Sequence, residues 1–177
     1  MRKQIRIPIL LACLLLVTAS SFATTVRKMD LPALVKTSES IVQGRVDQVY
    51  SQWDAERKLA FTYVSVTVDD PLKGDRRRTV LIRQLGGKVG SLTMSVAGTP
   101  RFSVGDQVIV FLKNSNDGAF NVVGLNQGKY DIVEDFAVAN VSGLTLIDPK
   151  TGQLSDAGFV EKAPLEAFKA RIRELAR

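Results

Sequence analysis

The sequence predicts a mainly β fold: a small closed or partly open β-barrel with a short N-terminal helix and an amphipathic C-terminal helix. Three observations predict it. About eight short segments alternate apolar and polar residues, the period of a half-buried strand. Glycine-rich turn residues separate these segments, and spacings of three and four occur only after Asp30 and after Pro164. A barrel accommodates such strands because closure leaves no unpaired edge, although a sandwich would also pair them.

The chain opens on Arg2, Lys3 and Arg6, an apolar run from Ile7 to Val17, and small or polar residues as far as Ala23. That is the pattern of a secretory signal peptide over 1–23, cleaved after Ala23, and it places the protein in the periplasm or the medium. An uncleaved anchor competes, but the run is shorter than the ~20 residues that span a bilayer. Lipidation at Cys13 competes as well, yet Leu14 to Val17 carry the apolar run past the cysteine. A membrane enters only through those two readings.

Loss of the leader removes three of the 24 basic residues and none of the 18 acidic ones, so a formal charge of +6 becomes +3. Basicity then ceases to argue for a nucleic-acid partner. The chain has no histidine, and its one cysteine lies in the leader. Residues 24–177 therefore cannot assemble a Ser/His/Asp triad, a Cys/His dyad, a thiolate zinc site or a disulfide. No catalytic, metal or cofactor-binding residue is expected, and this length suits one domain.

Asp30 can cap a helix running towards Ser40, with Pro32 in its first turn and Leu31, Leu34 and Val35 on one face. From Ile41 the period is two. It slips between Val46 and Val49, as a β-bulge allows. Leu59 to Asp70 alternates Val64, Val66 and Val68 against Tyr63, Ser65 and Thr67, and Pro71 to Asp75 supplies turn residues. Thr79 to Leu85 forms a further strand that Gly86-Gly87 breaks. A short strand at Leu92 to Val96 follows.

Gln107 to Leu112 is a continuous apolar run, suited to a central strand buried on both faces. Phe120 to Leu125 and Gly128 to Val133 complete a barrel core over 41–133. Phe136 to Val141 and Leu144 to Ile147 suggest an extra hairpin over 134–152. Leu165, Phe168, Ile172 and Leu175 then mark an amphipathic helix over 163–177, which can pack back on the barrel or lie on a membrane surface.

Several motifs together resemble a group of uncharacterised secreted bacterial β-barrel proteins. These are Ile41-Val-Gln-Gly-Arg-Val46, Asp69-Asp-Pro-Leu-Lys-Gly74, Phe102-Ser-Val-Gly-Asp106 before Val108 to Leu112, and Gln127-Gly-Lys-Tyr130. More distantly they resemble the netrin-like domain, the OB-type barrel of the tissue inhibitors of metalloproteinases. The resemblance implies an OB-like barrel over Ile41 to Tyr130 and, by analogy, a protease-inhibitor role. Those inhibitors chelate the protease zinc through an N-terminal cysteine and hold their barrel with disulfides. The expected start here is Thr24, with no cysteine to pair, so that mechanism transfers to no residue of this chain. The helix usual between their third and fourth strands is replaced by the 86–105 passage, which leaves another small barrel open.

Two segments are candidates for partner binding. Gly86, Gly87, Lys88 and Gly90 could cradle an anion through backbone amides, or simply form a wide turn, since Ser91 to Val96 alternates like a strand and offers no helix dipole. With Thr99 and Arg101 they lie in the longest irregular stretch, where a rigid barrel tends to carry its binding loops. Arg76, Arg77 and Arg78, following Lys73, could meet a phosphate, a sulfated glycan or an acidic partner, or be a solvated hairpin tip. Tyr50, Trp53, Phe61 and Tyr63 could stack on sugar rings or pack.

The function expected is an exported, non-enzymatic interaction module for a protein or glycan partner in the envelope or medium. A protease-inhibitor-like domain is the first alternative. A carboxylate-dependent hydrolase is the second, and it requires two of Asp47, Asp69, Asp70, Asp131, Glu134 and Asp135 to converge in one pocket at a separation of roughly 5–10 Å.

Overall fold

The computed structural model describes residues 25–74, 76–142, 144–156 and 160–177, with the side chains of Asp156 and Val160 left aside. The expected leader lies outside the described residues. Five strands close a ring: β2 (Ser40–Trp53), β3 (Ala60–Lys73), β4 (Thr79–Leu85), β7 (Gln107–Asn114) and β8 (Phe120–Val122). β2, β3 and β4 pair antiparallel in succession, β4 meets β8 in parallel at Ile82 and Phe120, β8 returns antiparallel to β7, and β7 pairs antiparallel with β2. The mainly β, closed barrel expected from the pattern is what forms.

The barrel is narrow, and β-branched residues fill it. Val46, Val64, Val66, Ile82 and Val110 lie inside with at most 1% of their surface exposed. Period two explains the choice, because each strand turns alternate residues inward and a five-stranded ring leaves room for little more than a valine from each. The slip after Val46 is a register shift in the β2–β3 ladder, where Val46 faces Val66 and Gln48 faces Ser65. Beyond it the two strands continue as a hairpin arm ending at Trp53 and Ala60.

β7 is the wall between two cores. Val108, Ile109, Val110, Phe111 and Leu112 are all fully buried. The even-numbered three face the barrel interior, while Ile109 and Phe111 face an outer layer. β9 (Lys129–Val133), β10 (Phe136–Asn140) and β13 (Val160–Pro164) extend the sheet outward from β7. Helices α1 (Leu31–Thr37) and α2 (Leu165–Leu175) pack against that layer. Phe111, Tyr130 and Phe168 form its centre, with ring centroids 4.6 to 6.5 Å apart in tilted and edge-on geometry.

The helix ends are held by side chains. Asp30 accepts the Ala33 N–H at 2.9 Å, as its capping role requires. Lys73 donates to the carbonyls of Val35 and Ser38 at 2.7 Å each, at the helix end where free carbonyls attract a cation. The amphipathic stripe of α2 packs into the outer core, with Ile172 fully buried. No described helix is long and apolar enough to cross a membrane.

Some expected boundaries move. β3 runs through Pro71 to Lys73 instead of ending at Asp70. Pro71 sits opposite Val42 beside a register shift, where a residue without an N–H interrupts little. The strand expected over Phe120 to Leu125 stops at Val122, and a 3-10 turn, Leu125–Gly128, precedes β9. The hairpin expected over 134–152 does not form as one unit. β10 pairs with β9 and β13, whereas β11 (Thr145–Ile147) pairs with β1 (Thr25–Arg27) and β12 (Leu154–Asp156) in a separate sheet. Tight turns divide them. Glu134 adopts a positive φ of 55° between β9 and β10, and Asp148 accepts the N–H groups of Lys150 and Thr151 between β11 and β12. Those backbone bonds hold the Asp148 carboxyl below its ordinary pKa and account for the Asp148–Gly152 segment as a turn.

Asp70 clamps α2 to β3. Its carboxylate accepts from Lys169 at 2.9 Å and from Arg173 at 2.7 Å. Partial burial alone would raise the Asp70 pKa, but the hydrogen bonds and charges of Lys169 and Arg173 outweigh it and hold the carboxyl below its usual range. Burial likewise opposes the Lys169 ammonium, and Asp70 with Glu166 shifts it upward instead. Asp70→Ala should therefore cost about 1.5–3 kcal/mol, the range for hydrogen bonds to charged groups. The Asp70 contribution is complete above its unfolded pKa and vanishes as pH falls through the lower folded value. The Lys169 contribution is complete below its unfolded pKa and vanishes as pH rises through the higher folded value. Urea titrations of wild type and variant should differ most between about pH 4 and about pH 10, and converge in stronger acid. Equal stability at neutral pH would show the clamp to be idle.

Candidate functional site

At one rim of the barrel the chain leaves β4 and does not return to the ring until β7. A wide cleft of about 990 Å³ opens there. Its near wall is a hairpin of β5 (Gly87–Val89) and β6 (Leu92–Met94), joined by a two-residue turn at Gly90-Ser91. The irregular segment 95–103 forms one side, and residues of β9, β10 and the 3-10 turn form the other.

Gly86 and Gly87 are where they are for steric reasons. The Thr62 hydroxyl donates to the Gly86 carbonyl at 2.7 Å and lies 2.9 Å from the Ser51 hydroxyl. Gly87, at φ 143°, crosses directly over this pair, and a Cβ there would collide with both hydroxyl oxygens. The expected wide turn is thus a close crossing of loop over arm. No helix N-terminus follows Gly90, so the motif lacks the dipole of a phosphate loop.

The chemistry of the cleft is mainly neutral and polar. Of its 24 lining residues, ten carry hydroxyl or amide side chains and seven are apolar, so hydrogen bonding dominates what it can offer. Two of the lining residues hold an amide oxygen that is shielded from solvent and has no hydrogen-bond partner among the described residues: Gln84 Oε1 and Asn126 Oδ1. Each amide is fixed from its other end, because Gln84 Nε2 donates to the Pro100 carbonyl at 2.9 Å and Asn126 Nδ2 to the Ser142 carbonyl at 3.2 Å. A flipped amide would set oxygen against oxygen.

Lys129 lies at the floor, with only 8% of its surface exposed. Its ammonium sits 2.6 Å from Asp131, 3.8 Å from Asp106 and 5.0 Å from the centroid of the Phe102 ring. Those partners make burial of the charge tolerable. Lys88 and Arg101 are exposed lining residues, and among the described residues neither has a carboxylate within ion-pair distance.

The structure divides the residues proposed from sequence. Gly86, Gly87, Lys88, Thr99 and Arg101 all line the cleft, and Gly90 forms the hairpin tip outside it. Arg76, Arg77 and Arg78 lie elsewhere. They precede β4, whereas the cleft begins at its end, and seven strand residues at ~3.3 Å each set the two about 20 Å apart. Arg77 stands over the Phe120 ring at 5.3 Å, and Lys73 is taken by the end of α1. The basic cluster is a separate feature at the opposite end of the barrel.

The aromatic residues of the first hairpin also divide. Tyr50 and Tyr63 stack at 5.3 Å, and Arg83 covers Phe61 at 4.7 Å. Alternation turns these away from Ser51 and Thr62, so they occupy the outer face of the arm and not the cleft. Among the six candidate carboxylates, only Asp131 lines the cleft, and Lys129 pairs with it. A two-carboxylate mechanism finds no second partner there. Asp70 is committed to α2, and Asp47 accepts from the Thr67 hydroxyl.

Sequence reasoning missed Lys129, Gln84 and Asn126. In strand order Gln84 and Lys129 read as ordinary alternating positions, and Asn126 as a turn residue. The crossing predicts a contrast between two glycines. Both have positive φ, but among the described residues nothing lies within 4 Å of a Cβ at Gly90. Gly87→Ala should exceed Gly90→Ala in destabilisation by about 1–3 kcal/mol, the cost of overpacking. Equal losses in chemical denaturation would mean that the crossing yields freely. No protein-family model and no curated protein matches the chain, so its chemistry has to be read from the cleft itself.

Proposed function

We propose that this chain is an exported, non-enzymatic binding module that takes its ligand in the cleft between the β5–β6 hairpin and segment 95–103. The observation that carries this reading is a cleft of about 990 Å³ in which ten of the 24 lining residues carry hydroxyl or amide side chains. A concave site on a rigid barrel, walled by long loops, is where binding is commonly found. The leader-like N-terminus supports export.

The test is capture of partners from envelope or culture-medium fractions. Ser95 is an exposed lining residue, so Ser95→Trp fills the cleft from its rim without removing a core contact. Capture should be lost in this variant while the melting temperature stays within a few degrees. Arg76→Ala with Arg78→Ala, at the opposite end, should capture as wild type does. Undiminished capture by Ser95→Trp would overturn the assignment.

A further inference from the structure

We infer that the ligand of this cleft is an acidic polysaccharide bearing carboxylate groups, an inference that rests on the binding reading above. Two properties of the cleft point to it together. Ten of the lining residues carry hydroxyl or amide side chains, groups that donate and accept, so the ligand has to do both. Sulfate ions and carboxylates accept only, whereas sugar hydroxyls donate and accept. The Ser, Thr, Asn and Gln side chains of the lining suit such hydroxyls.

The rim adds a demand for negative charge. Lys88 and Arg101 stand exposed at the cleft with no carboxylate near them among the described residues, while the third cation, Lys129, is already held by Asp131 and Asp106. Three cations against one lining carboxylate leave the site net positive. A ligand that is neutral and hydroxylated where it enters, and anionic where it meets the rim, satisfies both demands. A uronate chain has this character along its length, with hydroxyls and a carboxylate on every ring. A peptide strand would call for a row of apolar pockets for alternate side chains, and apolar residues are the minority here.

The experiment measures affinity for fluorescently labelled oligosaccharides of galacturonate, mannuronate and glucuronate, with methyl-esterified oligogalacturonate and polyglutamate as comparisons. At least one uronate series should bind the wild type, at least tenfold more tightly than the methyl ester, which keeps the hydroxyls and loses the charge. Lys88→Ala combined with Arg101→Ala should weaken the acid form at least tenfold and leave the ester unchanged. Ser95→Trp should abolish both. Equal binding of polyglutamate would show that charge alone is read and overturn the inference, as would equal binding of the ester. Failure of every uronate, with Ser95→Trp still blocking capture of some other partner, overturns the polysaccharide and leaves the cleft standing. Capture indifferent to Ser95→Trp removes both.

Discussion

Everything in this molecule depends on β7 being dry on both faces. Its five central residues alternate between two cores, and neither core is complete without them. Such a strand cannot use polar residues on either side, which is why Val108 to Leu112 runs apolar without interruption. It also sets the order of the layers. The barrel is built on one side of β7, the helices and outer strands on the other, and the cleft opens where β9 and segment 95–103 meet at the rim. With no histidine in the chain and its one cysteine at position 13, the described fold is held by this packing and by ion pairs such as the Asp70 clamp.

What could be read from the sequence was what local chemistry determines. β4 begins and ends where Thr79 and Leu85 suggest, because alternation and the glycines after it are local signals. Asp30 caps its helix for the same reason. The small β1–β11–β12 sheet could not be read, since each strand is three residues long and β1 finds its partner more than a hundred residues away. β13 was hidden by its composition, Val-Glu-Lys-Ala-Pro, which acquires strand character only from pairing with β10.

The candidate site was legible in one wall. Glycines and a long irregular stretch marked 86–101, and five of the six residues singled out there do line the cleft. The opposite wall was invisible, because Lys129 and Asn126 reach the cleft only after β9 docks on β7. The basic cluster at Arg76 to Arg78 misled for a related reason: nearness in sequence to the glycines concealed the length of β4 between them.

The contact beneath Gly87 has a direction. A hydroxyl has one proton, and that of Thr62 is committed to the Gly86 carbonyl, which can only accept. The bond between Thr62 and Ser51 must then carry the proton of Ser51. Ser51 lines the cleft, so what it turns towards an occupant is a lone pair. A backbone carbonyl thus sets the polarity of a side chain two hydroxyls away.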